Sequence, residues 1–261
     1  MITTVLLDLD DTILSDDLAS EIAFAEVGNY AASKVDVAPG AVIAAIREES
    51  AKVWQTGPFP DWLHRIGTSE IEGLRARFEG EDDHWATMRE WGPGFRSSSW
   101  ENALESLGVG DAALAADLNA MFERARGEAN PWCPGGEEAL KTLAANYRLG
   151  MVTNGIPDVQ RTKINASGID KYFDAIVISG ELAIGKPKAE IYQHALDLLG
   201  ASKEETIMVG DSFPRDVEGS QAFGLRGVWI SMGRPKPEGV EPWLTIEALA
   251  ELPAILEQHK S

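Results

Sequence analysis

After residue 145, short β-type runs alternate with helical patterns, and this alternation constrains the fold more than any other feature of the sequence. The segments, in chain order and alternately strand and helix, are 147–153, 158–167, 175–179, 188–199, 206–210, 216–223 and 227–230. Such alternation predicts βα units in a parallel sheet, and the buried run at 4–8 adds one more strand. We therefore expect a doubly wound α/β fold, in which the strand order 3-2-1-4-5 would make strands one and four neighbours.

Residues 17–130 lack a convincing strand pattern. This stretch is rich in Ala, Glu and Trp, and it shows helical periodicity at 20–33, 38–54, 100–107 and 112–126. The sequence ANPWCPGGEEAL (129–140) then places two prolines and two glycines ahead of a new helix, which marks a return crossing. We predict an α/β core domain made of residues 1–16 and 131–261, with an all-helical domain at 17–130 inserted after the first strand.

Charge and composition exclude several classes of function. The 261 residues include 42 acidic and 23 basic side chains, and the net charge of -19 repels nucleic acid and anionic lipid. No apolar stretch approaches the ~20 residues that a membrane-spanning helix needs. The single cysteine, Cys133, cannot form an internal disulfide, and the first residues show no secretory signal pattern. We expect a soluble, cytoplasmic protein without nucleic-acid or membrane partners.

Polar side chains follow the predicted strands at the points where the strands end. They are Asp8, Asp10, Thr153, Asn154, Asp211 and Asp216. Because open α/β sheets bind ligands at the carboxyl ends of their strands, we expect these residues to converge. Carboxylates at close range repel one another and need compensation, which Mg²⁺ and one lysine would supply. We therefore expect Mg²⁺ to bind beside these carboxylates, where the parallel strands end.

Each of these short patterns also has a simpler explanation. Asp10 or Asp11 would serve as a helix N-cap, the TNG sequence at 153–155 would form a turn, and Lys186 would be a solvated surface side chain. All of these explanations must hold together for the chain to lack a site. A single site accounts for every pattern at once, so we favour the site.

One further motif is misleading. GELAIGKP (180–187) satisfies the G-x-x-x-x-G-K spacing of a nucleotide-binding P-loop. However, Pro187 follows Lys186 where a P-loop needs a Ser or Thr hydroxyl for Mg²⁺, and proline also removes a backbone N–H that would bind phosphate. We therefore reject a P-loop here.

Four motifs occur in order: DLDDT (8–12), VTN (152–154), GKPK (185–188) and GDSFPRD (210–216). This set resembles the four motifs of the haloacid dehalogenase (HAD) superfamily, and the helical insertion resembles that family's type-1 cap, so the resemblance extends over nearly the whole chain. It implies a Rossmann-like core and a Mg²⁺-dependent phosphatase that acts through an aspartyl-phosphate intermediate. Asp11 stands where many relatives have glycine, but DLDDT is a familiar variant of the first motif.

The resemblance also implies a role for each motif residue. Asp8 would be the nucleophile, Asp10 the general acid and then base, and Lys186 the cation that offsets charge on the transferred group. Thr153 and Asn154 would hold the phosphoryl oxygens. The metal ligands would be Asp8, the backbone carbonyl of Asp10, Asp211 and, directly or through water, Asp216.

The second carboxylate of the first motif favours a phosphatase. Dehalogenases of this group need no acid for a halide leaving group and usually lack an aspartate at the position of Asp10. A phosphomutase shares all four motifs and stays open as an alternative. A non-catalytic binding module of the same fold would be expected to have lost Asp8, Asp10 or Lys186, and all three are present.

The helical insertion is expected to close over the sheet edge and to select a small phosphorylated metabolite. Its tryptophans at 54, 62, 85, 91 and 100 are interpreted mainly as core residues. His64, Arg65 and Arg96 lie in or beside Gly/Pro-containing stretches from which a loop would reach the site, although surface charge is the simpler interpretation for each. Structural or surface roles are predicted for Cys133 and for the histidines at 84, 194 and 259. Monomer and homodimer both stay open.

Overall fold

The computed structural model describes residues 1–259 and contains one six-stranded sheet. The strands are β1 Thr4–Leu7, β2 Arg148–Thr153, β3 Ala175–Ile178, β4 Thr206–Gly210, β5 Arg226–Ile230 and β6 Leu244–Ile246. All neighbouring strands are parallel, and their order is β3-β2-β1-β4-β5-β6. The doubly wound α/β prediction is thus confirmed. The three-residue strand β6 is too short to produce a recognisable pattern in the sequence.

β1 lies between β2 and β4 in the middle of the sheet. Val5 is opposite Leu149 on one side and Ile207 on the other, and all four residues of β1 are buried. A strand covered on both faces is apolar at every position rather than at alternate ones, which explains the run of Val and Leu that identified it. Because the three strands run in the same direction, their carboxyl ends meet at one edge.

Twelve helices were found in residues 1–259. They are α1 Asp16–Lys34, α2 Pro39–Gln55, α3 Pro60–Ile66, α4 Glu70–Gly73, α5 Asp83–Ser106, α6 Ala112–Glu128, α7 Gly136–Ala144, α8 Pro157–Ser167, α9 Ser179–Leu182, α10 Ala189–Leu199, α11 Gly219–Phe223 and α12 Leu252–Gln258. A π-helical turn, Phe213–Glu218, precedes α11. No helix of the described chain has the length and apolar character required to cross a membrane.

The chain forms two compact units. The sheet unit comprises residues 1–16, 131–154 and the chain from 167 onward, and the helical unit comprises residues 17–130 and 155–166. The segment 155–166, which we assigned to the core domain, groups with the helices of the second unit. The predicted domain boundaries stay a prediction.

The helical unit has its own apolar core. Phe24, Ile46, Phe95 and Phe122 are fully buried in it and come from α1, α2, α5 and α6. Among the tryptophans, those at 62, 85 and 100 are buried, and those at 54 and 91 are half-buried and pack against the core. The interpretation of these tryptophans as mainly core residues is confirmed.

The long helix α5 corrects one prediction. Periodicity indicated a helix only at 100–107, and the GPG sequence at 92–94 indicated a loop from which Arg96 would reach the site, although surface charge was the simpler interpretation of Arg96. The structure instead continues α5 through Pro93. Its buried positions at 85, 88, 92, 95 and 99 follow one another at intervals of three and four residues and form one helical face. Burial of that face outweighs the local preference of Gly and Pro for a break.

Candidate active site

The first carboxylate of the site is fixed by the end of β1. The Asp8 backbone N–H donates to Val209 O at 3.0 Å, so the parallel pairing with β4 continues one residue beyond Leu7. The Asp8 side chain is buried, and its Oδ1 accepts a hydrogen bond from Leu9 N at 2.8 Å. The end of a central strand therefore places the Asp8 carboxylate in a buried position, and the backbone N–H of Leu9 holds one of its oxygens.

The turn after Asp8 presents Asp10. Leu9 O accepts from Ile13 N at 2.9 Å and from Leu14 N at 3.1 Å, while Asp11 N donates to Leu14 O at 2.7 Å. Asp11 has φ 52°, in the left-handed region that favours glycine and that aspartate tolerates better than most residues. This conformation explains why either glycine or aspartate suits the position.

Lys186 connects two of the predicted acids. Its Nζ lies 2.8 Å from Asp8 Oδ1 and 2.7 Å from Asp216 Oδ1, and the side chain is buried. An ammonium ion shared by two buried carboxylates is not a solvated surface charge. The surface interpretation of Lys186 is therefore wrong.

Asn154 holds the backbone of Lys186. Its side-chain Nδ2 donates to Lys186 O at 2.9 Å, and its Oδ1 accepts from Lys186 N at 2.8 Å. The adjacent Thr153 ends β2, is buried, and lines the same cavity as Asp8. The Asn154 side chain is thus committed to placing the lysine.

Asp216 reaches the site because Gly210 has no side chain. A Cβ built on Gly210 would lie 2.3 Å from Asp216 Oδ2. Ser212 N donates to Asp216 Oδ2 at 2.9 Å, and Asp216 N donates to Ser212 O at 2.7 Å, which closes the π-helical turn. With one oxygen toward Lys186 and the other toward Ser212, the buried Asp216 carboxylate is fixed at both ends.

Asp211 is the most accessible member of the acid group and has a basic neighbour that the sequence analysis missed. Arg234 Nη2 donates to Asp211 O at 3.0 Å and to Asp211 Oδ2 at 3.3 Å. Trp229 Nε1 also donates to Asp211 O, at 3.1 Å. Arg234 follows β5 in a segment without any motif, so only its position after a strand end would have drawn attention to it.

Burial and mutual repulsion disturb the ionisation of the acids. Burial raises the pKa of Asp8 to about 7, although the charge of Lys186 opposes this shift. Burial and the charge of Asp8 raise the pKa of Asp211 to about 6, against the effect of Arg234. Burial also raises the pKa of Asp216. Burial alone lowers the pKa of Lys186, but the charges of Asp216 and Asp8 outweigh it and the pKa is raised.

The acid group has the composition of a divalent-cation site. Carboxylate oxygens of Asp8, Asp211 and Asp216 all lie within 4.8 Å of one another. Three carboxylates against the one buried ammonium of Lys186 leave two negative charges, and their mutual repulsion adds to the effect of burial in raising the pKa values of these acids. A Mg²⁺ ion would balance the excess and prefers oxygen ligands, so the residues fit the predicted metal.

A cavity of about 260 Å³ opens onto these groups. It is lined by Asp8, Asp10, Asp11, Thr153, Asn154, Lys186, Asp211, Ser212 and Arg215. Every lining residue belongs to the sheet unit. The structure therefore brings together all of the predicted site residues. Asp216 does not line the cavity itself, but it forms an ion pair with Lys186, which does. Ser212 and Arg215 were not predicted, although both lie within the fourth motif.

The helical unit contains a larger cavity, of about 590 Å³, which none of the predicted catalytic residues lines. Arg96 is in its wall, with Nη1 donating to Ala76 O at 2.7 Å. His64 and Arg65 are exposed residues of α3. This hydrogen bond gives Arg96 a structural role within the helical unit. Although this cavity is larger, the predicted catalytic residues line the smaller one.

Cys133 and the histidines do not join the acid group. Burial, with the charges of Asp11 and Asp211, raises the pKa of the Cys133 thiol to about 12, so the thiol stays protonated and weakly nucleophilic. The His84 ring stacks on Trp62 at 4.6 Å, and the His259 ring lies 5.4 Å from Trp243. These observations agree with the structural or surface roles predicted for them.

The fold and the acid site define a hydrolase of the haloacid dehalogenase class, and the chain belongs to this family. The family described as "haloacid dehalogenase-like hydrolase" matches residues 2–224. Among sequence relatives, phosphoserine phosphatase from Thermus thermophilus is 33% identical over 250 residues, which cover 95% of this chain and 96% of the relative. N-acylneuraminate-9-phosphatase from Rattus norvegicus is 34% identical and aligns over 62% of this chain and 67% of its own length.

Solved structures share the fold. The HAD hydrolase YfnB from Bacillus subtilis, in a structure described as bound to magnesium, has a TM-score of 0.67 at 22% identity and covers 98% of both chains. A 2-haloacid dehalogenase from Pseudomonas syringae has a TM-score of 0.63 at 23% identity and covers 99% of this chain and 100% of its own. Because a dehalogenase has the same architecture as this chain, the fold does not decide between phosphatase and dehalogenase, and the site must distinguish them.

Proposed function

We propose that this protein is a Mg²⁺-dependent phosphatase that hydrolyses a small phosphomonoester through an aspartyl-phosphate intermediate. One observation carries the proposal: Asp8, held by the Lys186 ion pair, shares a single cavity with Asp10 and Thr153. The phosphatase relatives support the reaction class, because one of them aligns over nearly the whole chain.

In the first half-reaction, an Asp8 carboxylate oxygen attacks phosphorus while the bond from phosphorus to the leaving oxygen breaks. Asp10 gives its proton to that oxygen, so that an alcohol leaves. In the second half-reaction, Asp10 takes a proton from water as the water oxygen attacks phosphorus. The bond to Asp8 then breaks, inorganic phosphate is released and both side chains return to their starting states.

The groups around Asp8 would stabilise the transferred phosphoryl group. The Thr153 hydroxyl and the Asn154 amide would donate to its oxygens, and Lys186 would offset charge on the group and on Asp8. We assign this contact to the backbone amide of Asn154, because its side chain already uses Oδ1 and one of its two Nδ2 hydrogens to hold the backbone of Lys186.

The predicted metal would be held by Asp8, Asp211 and the Asp10 backbone carbonyl, with Asp216 assisting. Mg²⁺ supplies positive charge that neutralises the phosphoryl oxygens and the acid group. Asp216 has both oxygens engaged by Lys186 and Ser212, so its assistance through water or through Lys186 fits better than direct ligation. Asp211 is half-buried and lines the cavity, which suits a direct ligand.

Asp10 favours the phosphatase over the alternatives. Asp10 lines the cavity, and a poor alkoxide leaving group there would need a proton whereas a halide would not. A phosphomutase would use the same groups but would transfer the phosphoryl group back to the substrate, so it would release little inorganic phosphate. A small metabolite in the cytoplasm is the proposed substrate, since the acidic chain repels phosphorylated polymers.

Release of inorganic phosphate tests this function. The purified protein should hydrolyse an aryl phosphate with Mg²⁺ and lose activity with a chelator. A panel of phosphorylated metabolites would then identify the substrate. O-phosphoserine comes first, because a phosphoserine phosphatase aligns over nearly the whole chain. Asp8→Asn should lower turnover by several orders of magnitude and keep the fold, because the amide cannot attack phosphorus. Metal-independent turnover, or an active Asp8→Asn protein, would overturn the proposal.

A further inference from the structure

One arginine, Arg215, lines the candidate catalytic cavity, and its backbone is fixed on both sides. Arg215 N donates to Ser212 O at 3.1 Å, and Arg215 O accepts a hydrogen bond from the hydroxyl of Tyr192, which is itself buried. These bonds tie the π-helical turn to α10 within the sheet unit. The side chain therefore starts from a fixed point in the cavity wall.

The Arg215 side chain is exposed and makes no hydrogen bond or ion pair with residues 1–259. The other cations near the acid group are already paired: Lys186 bridges Asp8 and Asp216, and Arg234 bonds to Asp211. A cavity with four aspartates in its wall would offer Arg215 an acidic partner if its role were structural. Its five N–H donors therefore stay available to a ligand in the cavity.

The phosphoryl group already has its own partners in the proposed function. Thr153, Asn154, Lys186 and the metal account for its charge and oxygens, so Arg215 remains for another part of the substrate. A second phosphate on the substrate would add roughly two negative charges to an acidic cavity of limited size, whereas a carboxylate adds one. A carboxylate also matches the planar guanidinium, with which it forms two parallel hydrogen bonds. The one positive charge of Arg215 suits a carboxylate.

We propose that Arg215 is a specificity-determining residue that binds a carboxylate on the substrate, and that the preferred substrates are small phosphomonoesters carrying a carboxylate. This inference rests on the proposed phosphatase function and narrows its substrate class. The cavity volume of about 260 Å³ agrees with a compact substrate of this kind, because it is smaller than the pockets that hold drug-sized ligands.

Two matched pairs of substrates isolate the carboxylate. O-phosphoserine and O-phosphoethanolamine differ only by this group, and 2-phosphoglycolate and 2-hydroxyethyl phosphate differ by carboxylate against hydroxymethyl. Wild type should prefer the carboxylate member of at least one pair by roughly 10- to 100-fold in kcat/KM. Arg215→Gln should remove most of that preference through KM, and Arg215→Lys should restore part of it because lysine keeps the charge and loses the two-point geometry.

Arg226→Gln is the matched control, since it removes the same charge at the opposite, amino-terminal end of β5 and should leave the preference intact. The inactive Asp8→Asn protein provides a readout without turnover: calorimetry with Mg²⁺ should show tighter binding of the carboxylate member, and adding Arg215→Gln should abolish the difference. No preference in wild type for either pair, or an equal loss on both members in Arg215→Gln, would overturn the inference. Absence of all turnover with preserved selective binding would instead refute the proposed function alone.

Discussion

At the scale of single residues, the site depends on side chains whose contacts leave them one orientation. Lys186 is held at both ends: its Nζ bridges Asp8 and Asp216, and its backbone pairs with the Asn154 side chain. This arrangement keeps an ammonium ion in a buried location where desolvation alone would favour its neutral form. In the proposed mechanism, the side chain of Asn154 therefore acts on catalysis through Lys186.

Removal of the Asn154 side chain tests that positioning role. Asn154→Ala deletes two hydrogen bonds to Lys186, and we expect kcat to fall roughly 10- to 100-fold as the ammonium loses its place. Lys186→Met should be slower still, and the double variant should be no slower than Lys186→Met alone, because the asparagine acts through the lysine. Additive losses in this cycle would contradict the role. Asn146→Ala, which deletes one exposed hydrogen bond to Thr142 O, is the control and should retain turnover.

The acid role of Asp10 is tested by varying the leaving group. Asp10→Asn keeps the backbone carbonyl and the shape but removes the transferable proton. We expect a loss of about 10²- to 10⁴-fold on alkyl phosphates and a much smaller loss on an activated aryl phosphate, whose oxygen leaves as a stable anion. Steady-state kinetics over a series of leaving groups measures this slope. An equal loss across the series would contradict the assignment.

At the scale of elements, two glycines let a neighbouring side chain come closer to the backbone than a Cβ atom would allow. Gly210 at the end of β4 admits the Asp216 carboxylate, and Gly92 within α5 admits the Phe78 ring, which would lie 2.5 Å from a Cβ at that position. Phe78 itself has φ 56°, an unfavourable conformation for a bulky residue, and it is retained by burial. Close packing thus determines the backbone at both places.

The two glycines of the GPG sequence in α5 should respond oppositely to alanine. Gly92→Ala would overpack against Phe78 at a cost of about 1–3 kcal/mol, and it would also put a Cβ before Pro93. Together these costs exceed the gain of about 1 kcal/mol in helix propensity, so the substitution should destabilise the protein. Gly94→Ala meets nothing within 4 Å and should stabilise by about 0.5–1 kcal/mol. Urea unfolding measures both changes in the free energy of unfolding. Stabilisation by both substitutions would show that Phe78 does not pack as described.

At the scale of the whole molecule, charge links stability to metal and pH. The chain carries a net charge of -19, and the buried acids at 8 and 216 and the half-buried acid at 211 have raised pKa values. The folded state therefore binds more protons than the unfolded state, so these groups stabilise the metal-free fold at pH values below their ordinary pKa. That contribution is lost as the pH rises through the raised pKa values, of which that of Asp8 is about 7.

Mg²⁺ should therefore stabilise the protein more at alkaline than at acidic pH. Binding requires ionised Asp8 and Asp211, whose pKa values of about 7 and about 6 mean that the ion must displace protons at low pH. We expect a clear rise in Tm on adding Mg²⁺ near about pH 8 and little rise near about pH 5, measured by thermal unfolding with a chelator as the reference. Asp8→Asn should flatten this dependence. An Mg²⁺ effect independent of pH would contradict the assignment of these acids as ligands.

The sequence was enough to predict five of the six strands, the order of the motifs and the candidate reactive acids, because each depends on residues that are close together in the chain. Val5, Leu6 and Leu7 indicate a strand buried on both faces, and the aspartates at its end need compensation wherever it folds. The alternation of strand and helix patterns was enough to predict the parallel α/β fold, and the four short motifs in one order singled out Lys186 as the candidate compensating cation.

Only the tertiary structure decided how those residues are used. The hydrogen bonds between Asn154 and Lys186 join positions 32 residues apart, and local patterns carry no information about such pairs. The same holds for Arg234 beside Asp211, and for α5, where burial of one face carries a helix through Gly92 and Pro93 against their local preference. Local spacing reports on neighbours within a turn or a strand, whereas side-chain partners and helix limits depend on packing between segments that are distant in the chain.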